Sequence, residues 1–504
     1  MRMSALMIAA VAATQVAIAQ HGTHPTRRAG ERTPTLGTIV FPNSGNAAAQ
    51  EPFIRGVAFL HSFEYDEAAD AFRDARFADS TFALAYWGEA LTYSHMLWGI
   101  EDVAAARSAL AKLGRSATDR LAKARTPRER MFGAAVEAYF ADIARPQRIR
   151  AYADSMRHYA RSDPSDNEAA AFAAHALLLS TLVAENDTIR DSLTREGIAL
   201  AQRVVAKNPR HPGATHYLIH LYDSPAMAAQ GLAAARAYDM IAPDAEHALH
   251  MPSHIYLQLG LWDDVVKSNE RAWAASRSEG SPDWHAFSWL QYAYLQQGRF
   301  DAARGLIDSA RKILDPRGSY PDANVVLSRL EFQYLAETGR WGEFRVTRPQ
   351  YATAEPSSDR DRVFRAIASY WLAVDAAQRN DTSALTTLGA PWVALADSIR
   401  LGERRLPGRA AMAFQVEALV ARARGDRVRY LAALTAAADK EREMQPFVGP
   451  PERLLSLELL AKEYLADGRA ADAARLYEDV LRKCPNRMQA VLGLAKAKTA
   501  QGTK

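Results

Sequence analysis

At 504 residues, with 48% hydrophobic and 24% charged side chains, the chain has the composition of a folded protein and is too long for one compact domain unless it is a repeat array. A net charge of +4, with no block of like charges, gives no case for nucleic acid or for a membrane-binding tail. The single cysteine, Cys484, excludes intrachain disulfides and a cysteine-based zinc site.

The first residues read as an address. Arg2 supplies a short positive segment, Leu6 to Ala13 an apolar one, and Ala17-Ile18-Ala19 an A-x-A cleavage site, which predicts a signal peptide over residues 1–19. No later stretch holds around 18 uninterrupted apolar residues, so no membrane span is expected. The expected location is therefore periplasmic or secreted. Residues 20–50 carry Gly, Thr, Pro, Arg and Asn with little periodicity and predict a flexible leader. Within it, His21 and His24 lie near the mature N-terminus.

From residue 51 the chain is Ala-rich and helical in period. A unit recurs: Gly-x-aromatic, a small residue three positions on, a hydrophobe, then Pro. Copies stand at Gly260-Leu261-Trp262, Gly298-Arg299-Phe300 and Gly339-Arg340-Trp341, with Gly468-Arg469-Ala470 carrying alanine in the aromatic place and a first copy at Tyr65-Asp66-Glu67-Ala68-Ala69. The glycine suits the left-handed residue that ends a helix, and Pro243 and Pro485 close their units. The pattern resembles the tetratricopeptide repeat, a 34-residue helix–turn–helix unit. The resemblance covers residues 51–504, strongly at 51–113, 212–316 and 454–485, weakly at 114–210 and 345–450. A terminal capping helix is expected at 488–502. It implies an all-α, right-handed superhelical solenoid of helix pairs with a concave, partner-binding face.

Seven of the thirteen histidines lie between residues 211 and 285. His216 and His220 are four apart, as are His250 and His254, and residues four apart share one face of a helix. Placing Pro243 at position 32 of a unit starting at Pro212 makes Glu246 and Trp284 the first residues of the next two units. The resemblance then puts His211, His216, His220, Asp223, His247, His250, His254 and His285 on groove positions, with His61 and His95 further along and Glu458 alone in the last unit. The segments His216-Tyr217-Leu218-Ile219-His220-Leu221-Tyr222-Asp223 and Ala248-Leu249-His250-Met251-Pro252-Ser253-His254-Ile255, with Thr126-Pro127-Arg128-Glu129-Arg130, are similar to a subgroup of uncharacterised exported bacterial tetratricopeptide proteins. That subgroup brings a fold and motifs but no reaction.

Three functions fit these residues, beside a structural reading in which the histidines pack and bond between helices with no ligand. A divalent metal, zinc or copper, suits His216, His220, His247, His250 and His254 with Asp223. A metal-free groove for a protein or peptide partner would use His61, His95, His211 and His285 with Tyr217, Tyr256 and Tyr292. A metal-dependent hydrolase would activate a bound water through Asp223 or Glu246, although no catalytic motif is present. Pro252 bears on all three. Either a helix begins there, or His250 and His254 stand on a kinked one.

Overall fold

The computed structural model describes residues 33–278, 282–314, 323–347, 359–402, 407–444 and 448–502. The signal peptide expected at 1–19, and residues 20–32 of the leader with His21 and His24, lie outside them. The fold is all-α and built of tetratricopeptide-like helix pairs that, within each of two units, pack on their neighbours in sequence.

The predicted register holds at the starts of three first helices and at the turn glycines, but no helix starts at Trp341, since residues 339–347 form turns and irregular backbone. First helices begin at Pro212, Glu246 and Trp284, and their partners run Ala228–Ile241, Trp262–Ser278 and Phe300–Ile313. Gly260, Gly298, Gly339 and Gly468 all take left-handed backbone, with φ of 66°, 71°, 70° and 75°. Leu261, Arg299 and Arg469 each donate their N–H to the carbonyl five residues back, closing the Schellman turn that such a residue permits. The weakly patterned stretches are helical too, from Ala117–Lys123 to Asp187–Lys207 and from Asp359–Gln378 to Arg427–Glu443, and Met488–Gly502 ends the array. Sequence patterning gave no sign of the two-stranded hairpin Ser94–His95 with Ile100–Glu101, inserted after the Ala83–Thr92 helix.

The chain divides into two compact units. One holds the residues through Ile255 plus Arg271–Asp283, and the other holds Tyr256–Glu270 and the residues from Trp284 onward. The first unit has an aromatic core. Phe41 meets Phe53 edge-on at 5.1 Å, Phe53 meets Phe82 at 4.9 Å, and Trp87 contacts both Phe132 and Phe172. The core of the second unit gathers Leu434, Leu457, Leu460, Tyr477 and Val480.

Residues 33–46, read above as part of a flexible leader, have no regular secondary structure but are fixed against the rest of the first unit. Phe41 is 3% exposed, Thr38 donates its N–H to the Arg210 carbonyl, and Ser44 donates to Glu129 Oε1. The Thr126–Arg130 motif provides the anchorage. Thr126 and Glu129 form a capping box on the Pro127–Tyr139 helix, and Arg128 pairs with Asp166 while covering the Phe41 ring at 4.0 Å. Low periodicity hid this segment because it packs as a strap through a few residues instead of as a helix or strand. Phe41→Ala is expected to cost about 3–5 kcal/mol, as for other buried aromatics, seen as a lowered midpoint in thermal unfolding followed by circular dichroism.

Candidate metal centre

Three chain segments of the first unit build the site. The first is the end of the Ala47–His61 helix. There Glu64 donates its N–H to Phe59 O, the same Schellman closure as at the repeat glycines, but the left-handed residue is Phe63, with φ of 60°. In register, Phe63-Glu64-Tyr65 occupies the place of Gly-x-aromatic elsewhere. A phenylalanine there costs about 1–2 kcal/mol of backbone strain. Its ring packs at 4.3 Å from His216 and 5.6 Å from His247, with the His220 ring stacked at 5.8 Å.

The second segment is the Pro212–Tyr222 helix. His211 is its N-cap, accepting the Ala214 N–H at Nδ1. That leaves the proton on Nε2, which donates to Glu168 Oε1 at 3.1 Å. The other Glu168 oxygen accepts from His61 Nε2 at 2.9 Å, so His61 Nδ1 accepts from the Tyr217 hydroxyl at 2.8 Å. Glu168, His61, His211 and Tyr217 are all 1% exposed or less. Burial opposes the charged form of Glu168, but His211 and then His61 outweigh it and bring its carboxyl down to about 2. Burial lowers His61, so the ring is neutral beside an ionised carboxylate. Gly213 makes this possible, since a Cβ there would meet His61 Nδ1 at 2.2 Å.

The third segment is residues 246–255. Glu64 accepts the His247 N–H at 2.9 Å, at the positive end of the Glu246–His250 helix. The helix ends at His250, and a new one starts at Pro252, the N1 position that proline favours. Met251 keeps helical backbone (φ −54°, ψ −36°) although it precedes a proline, so the imidazoles of His250 and His254 still meet.

Five imidazoles close into a ring. Centroids lie 4.8 Å apart for His216–His220, 5.6 Å for His220–His254, 5.1 Å for His254–His250, 6.0 Å for His250–His247 and 5.1 Å for His247–His216. Two Nε2–Nε2 approaches stand out: His216 to His220 at 3.1 Å and His250 to His254 at 3.2 Å. One member of each pair is oriented from behind. His216 Nδ1 donates to the His61 carbonyl at 2.7 Å, and His254 Nδ1 donates to Asp223 Oδ2 at 2.6 Å. Each therefore turns an Nε2 lone pair toward its partner, whose Nε2–H donates to it. Asp223, expected as a ligand, is bonded to the His254 imidazole, which places it one step behind the ring. Burial, followed by neighbouring imidazoles, holds His220 and His247 well below the usual 6.5; for His216, burial brings the value to about 3. These rings are neutral at pH 7, as ligands must be. A nitrogen-only set of this kind suits zinc or copper.

The residues expected to face a partner are placed differently. His61, His211 and Tyr217 are buried and bonded to one another through Glu168, because three helices converge on that carboxylate. His95 is partly exposed and stacks on Tyr65 at 4.0 Å. Tyr256 and His285 belong to the second unit. There Tyr292, 2% exposed, accepts from Arg487, which also binds Glu337 and Glu458. Glu458 thus neutralises a buried guanidinium. Sequence reasoning missed Glu168, which sits in a weakly patterned stretch. It also missed Phe63, although a phenylalanine in the repeat's glycine slot was a signal, and Tyr238, stacked on His216 at 5.1 Å.

No known family's sequence profile matches the chain, and no curated protein matches it. Solved structures that it resembles include the TPR domain of P58(IPK), at 14% identity over 91% of this chain and 99% of that one, with a TM-score of 0.21. The APC/C hetero-tetramer Cut9–Hcn1 aligns at 12% identity over 91% and 78%, with a TM-score of 0.34, and yeast Tom70 at 12% over 91% and 97%, with a TM-score of 0.35. Likenesses this loose say nothing about the site.

Two outcomes are expected. Gly213→Ala should push the His61 ring off the 212–222 helix and lower stability by about 1–3 kcal/mol in urea denaturation. The second outcome concerns acid. Burial keeps His175 neutral down to about 3, and neither of its ring nitrogens has a hydrogen-bond partner among the described residues. The unfolded chain protonates this residue near 6.5, so its contribution to stability is complete above that pH and is lost as pH falls below it, at up to about 1.4 kcal/mol per pH unit. His175→Leu should flatten the dependence of unfolding midpoint on pH between 6.5 and 4. An unchanged slope would show that this ring is not responsible.

Proposed function

We propose that this chain is an exported helical-repeat protein whose first unit binds zinc or copper on His216, His220, His247, His250 and His254. Asp223 and the His61 carbonyl orient the ligands from behind. The observation that carries this reading is the pairwise convergence of Nε2 atoms, with the Nδ1–H of His216 and His254 already committed to oxygen acceptors. Hydrogen bonding alone requires no such grouping of neutral imidazoles from two successive repeats, whereas a metal needs several bare nitrogen lone pairs in one place. The metal reading stands above a peptide groove because His61, His211 and Tyr217 have no surface to offer a partner. The A-x-A site at residues 17–19 supports export.

The test is direct. Full-length protein expressed with its leader, without a polyhistidine tag or nickel column, should be recovered from the periplasm or medium with Gln20 at its N-terminus. It should contain zinc or copper by plasma mass spectrometry. Metal at a hundredfold excess over Kd should stabilise the folded chain by about 2.7 kcal/mol. Absence of metal, together with an unchanged melting temperature on adding either ion, would remove the reading.

A further inference from the structure

We propose that the imidazole ring is binuclear: His216, His220 and His247 hold one ion, and His250 and His254 hold a second. The proposal rests on the metal reading above and adds to it a count.

The geometry supplies two convergence points. A tetrahedral zinc with Zn–N bonds of about 2.05 Å sets its nitrogens about 3.3 Å apart. The Nε2 separations of 3.1 Å and 3.2 Å in the two pairs both match that spacing. Each pair comes from its own chain segment, and each has its own rear anchor: the His61 carbonyl for the first and the Asp223 carboxylate for the second. Five imidazoles also exceed the four positions of a tetrahedral ion. His247 falls to the first pair, since its ligand nitrogen and those of His216 and His220 lie within 4.8 Å of one another. Its Nε2 is buried and has no hydrogen-bond partner among the described residues. A buried ring nitrogen in that position is costly unless something occupies it.

The experiment uses the full chain stripped with a chelator, reloaded with zinc or copper, desalted and analysed for metal per chain. Wild type should retain two ions. His250→Ala/His254→Ala and His216→Ala/His220→Ala should each retain one, and competing chelator should strip wild type in two steps. Each variant should lose one of the two steps. A single ion in wild type, removed by either double substitution, would overturn the binuclear proposal while leaving metal binding intact. Two ions whose number neither variant changes would place them elsewhere and overturn it too. No ion at all would overturn both readings. Circular dichroism checks each variant for folding. If either fails to fold, the one-step or two-step stripping of wild type decides between one ion and two.

Discussion

The carboxylate of Glu168 is the point on which the first unit turns. It lies in the opening turn of the Asn167–Thr181 helix, yet its two oxygens reach the last residue of the Ala47–His61 helix and the N-cap of the Pro212–Tyr222 helix. An ionised group this deep carries a desolvation cost of several kcal/mol, and it persists only because both oxygens receive N–H donors. Those bonds fix the tautomers of His61 and His211. The tautomer of His61 in turn accepts the Tyr217 hydroxyl, and its carbonyl orients His216. One buried charge thus sets proton positions along a path that ends at the candidate ligands.

The ring of imidazoles follows the opposite electrostatic rule. Glu168 stays charged because it is surrounded by donors, while His216, His220 and His247 stay neutral because burial and one another disfavour a second charge. Neutral imidazole is the form that binds metal, so the crowding that would destabilise protonated rings prepares them as ligands. Phe63 and Tyr238 add to this by covering ring faces with apolar surface.

Much of this could be read in the sequence, for a physical reason. Helix period, turn glycines and closing prolines are local signals, and they place Pro212, Glu246 and Trp284 at helix starts. Once those starts are known, the spacing of four brings His216 to His220, and adjacency of repeats brings both near His247 and His254. What could not be read depends on contacts outside the repeat. Glu168 is an ordinary first-turn acid until His61 and His211 arrive from 107 residues before and 43 residues after. The groove assignment of His61 and Tyr217 presumed that positions facing inward in a repeat face solvent, but here the first helices close on one another. Phe41 carries no period at all, and its burial is decided by Arg128 and the aromatic core.

Phe63 and its neighbour have a kinetic consequence. Repeat arrays ordinarily fold from any point, because each unit meets only the next. Here Glu64 bonds His247 across 183 residues, and His61 bonds Tyr217 across 156. Such closures must meet the entropy of a long loop before they return any energy, a cost that grows with the logarithm of loop length and slows folding. During synthesis the first hairpin leaves the ribosome with its strained turn already required and its partners still unmade. The array can therefore grow locally, repeat by repeat, but its histidine ring closes only after the chain has passed His254.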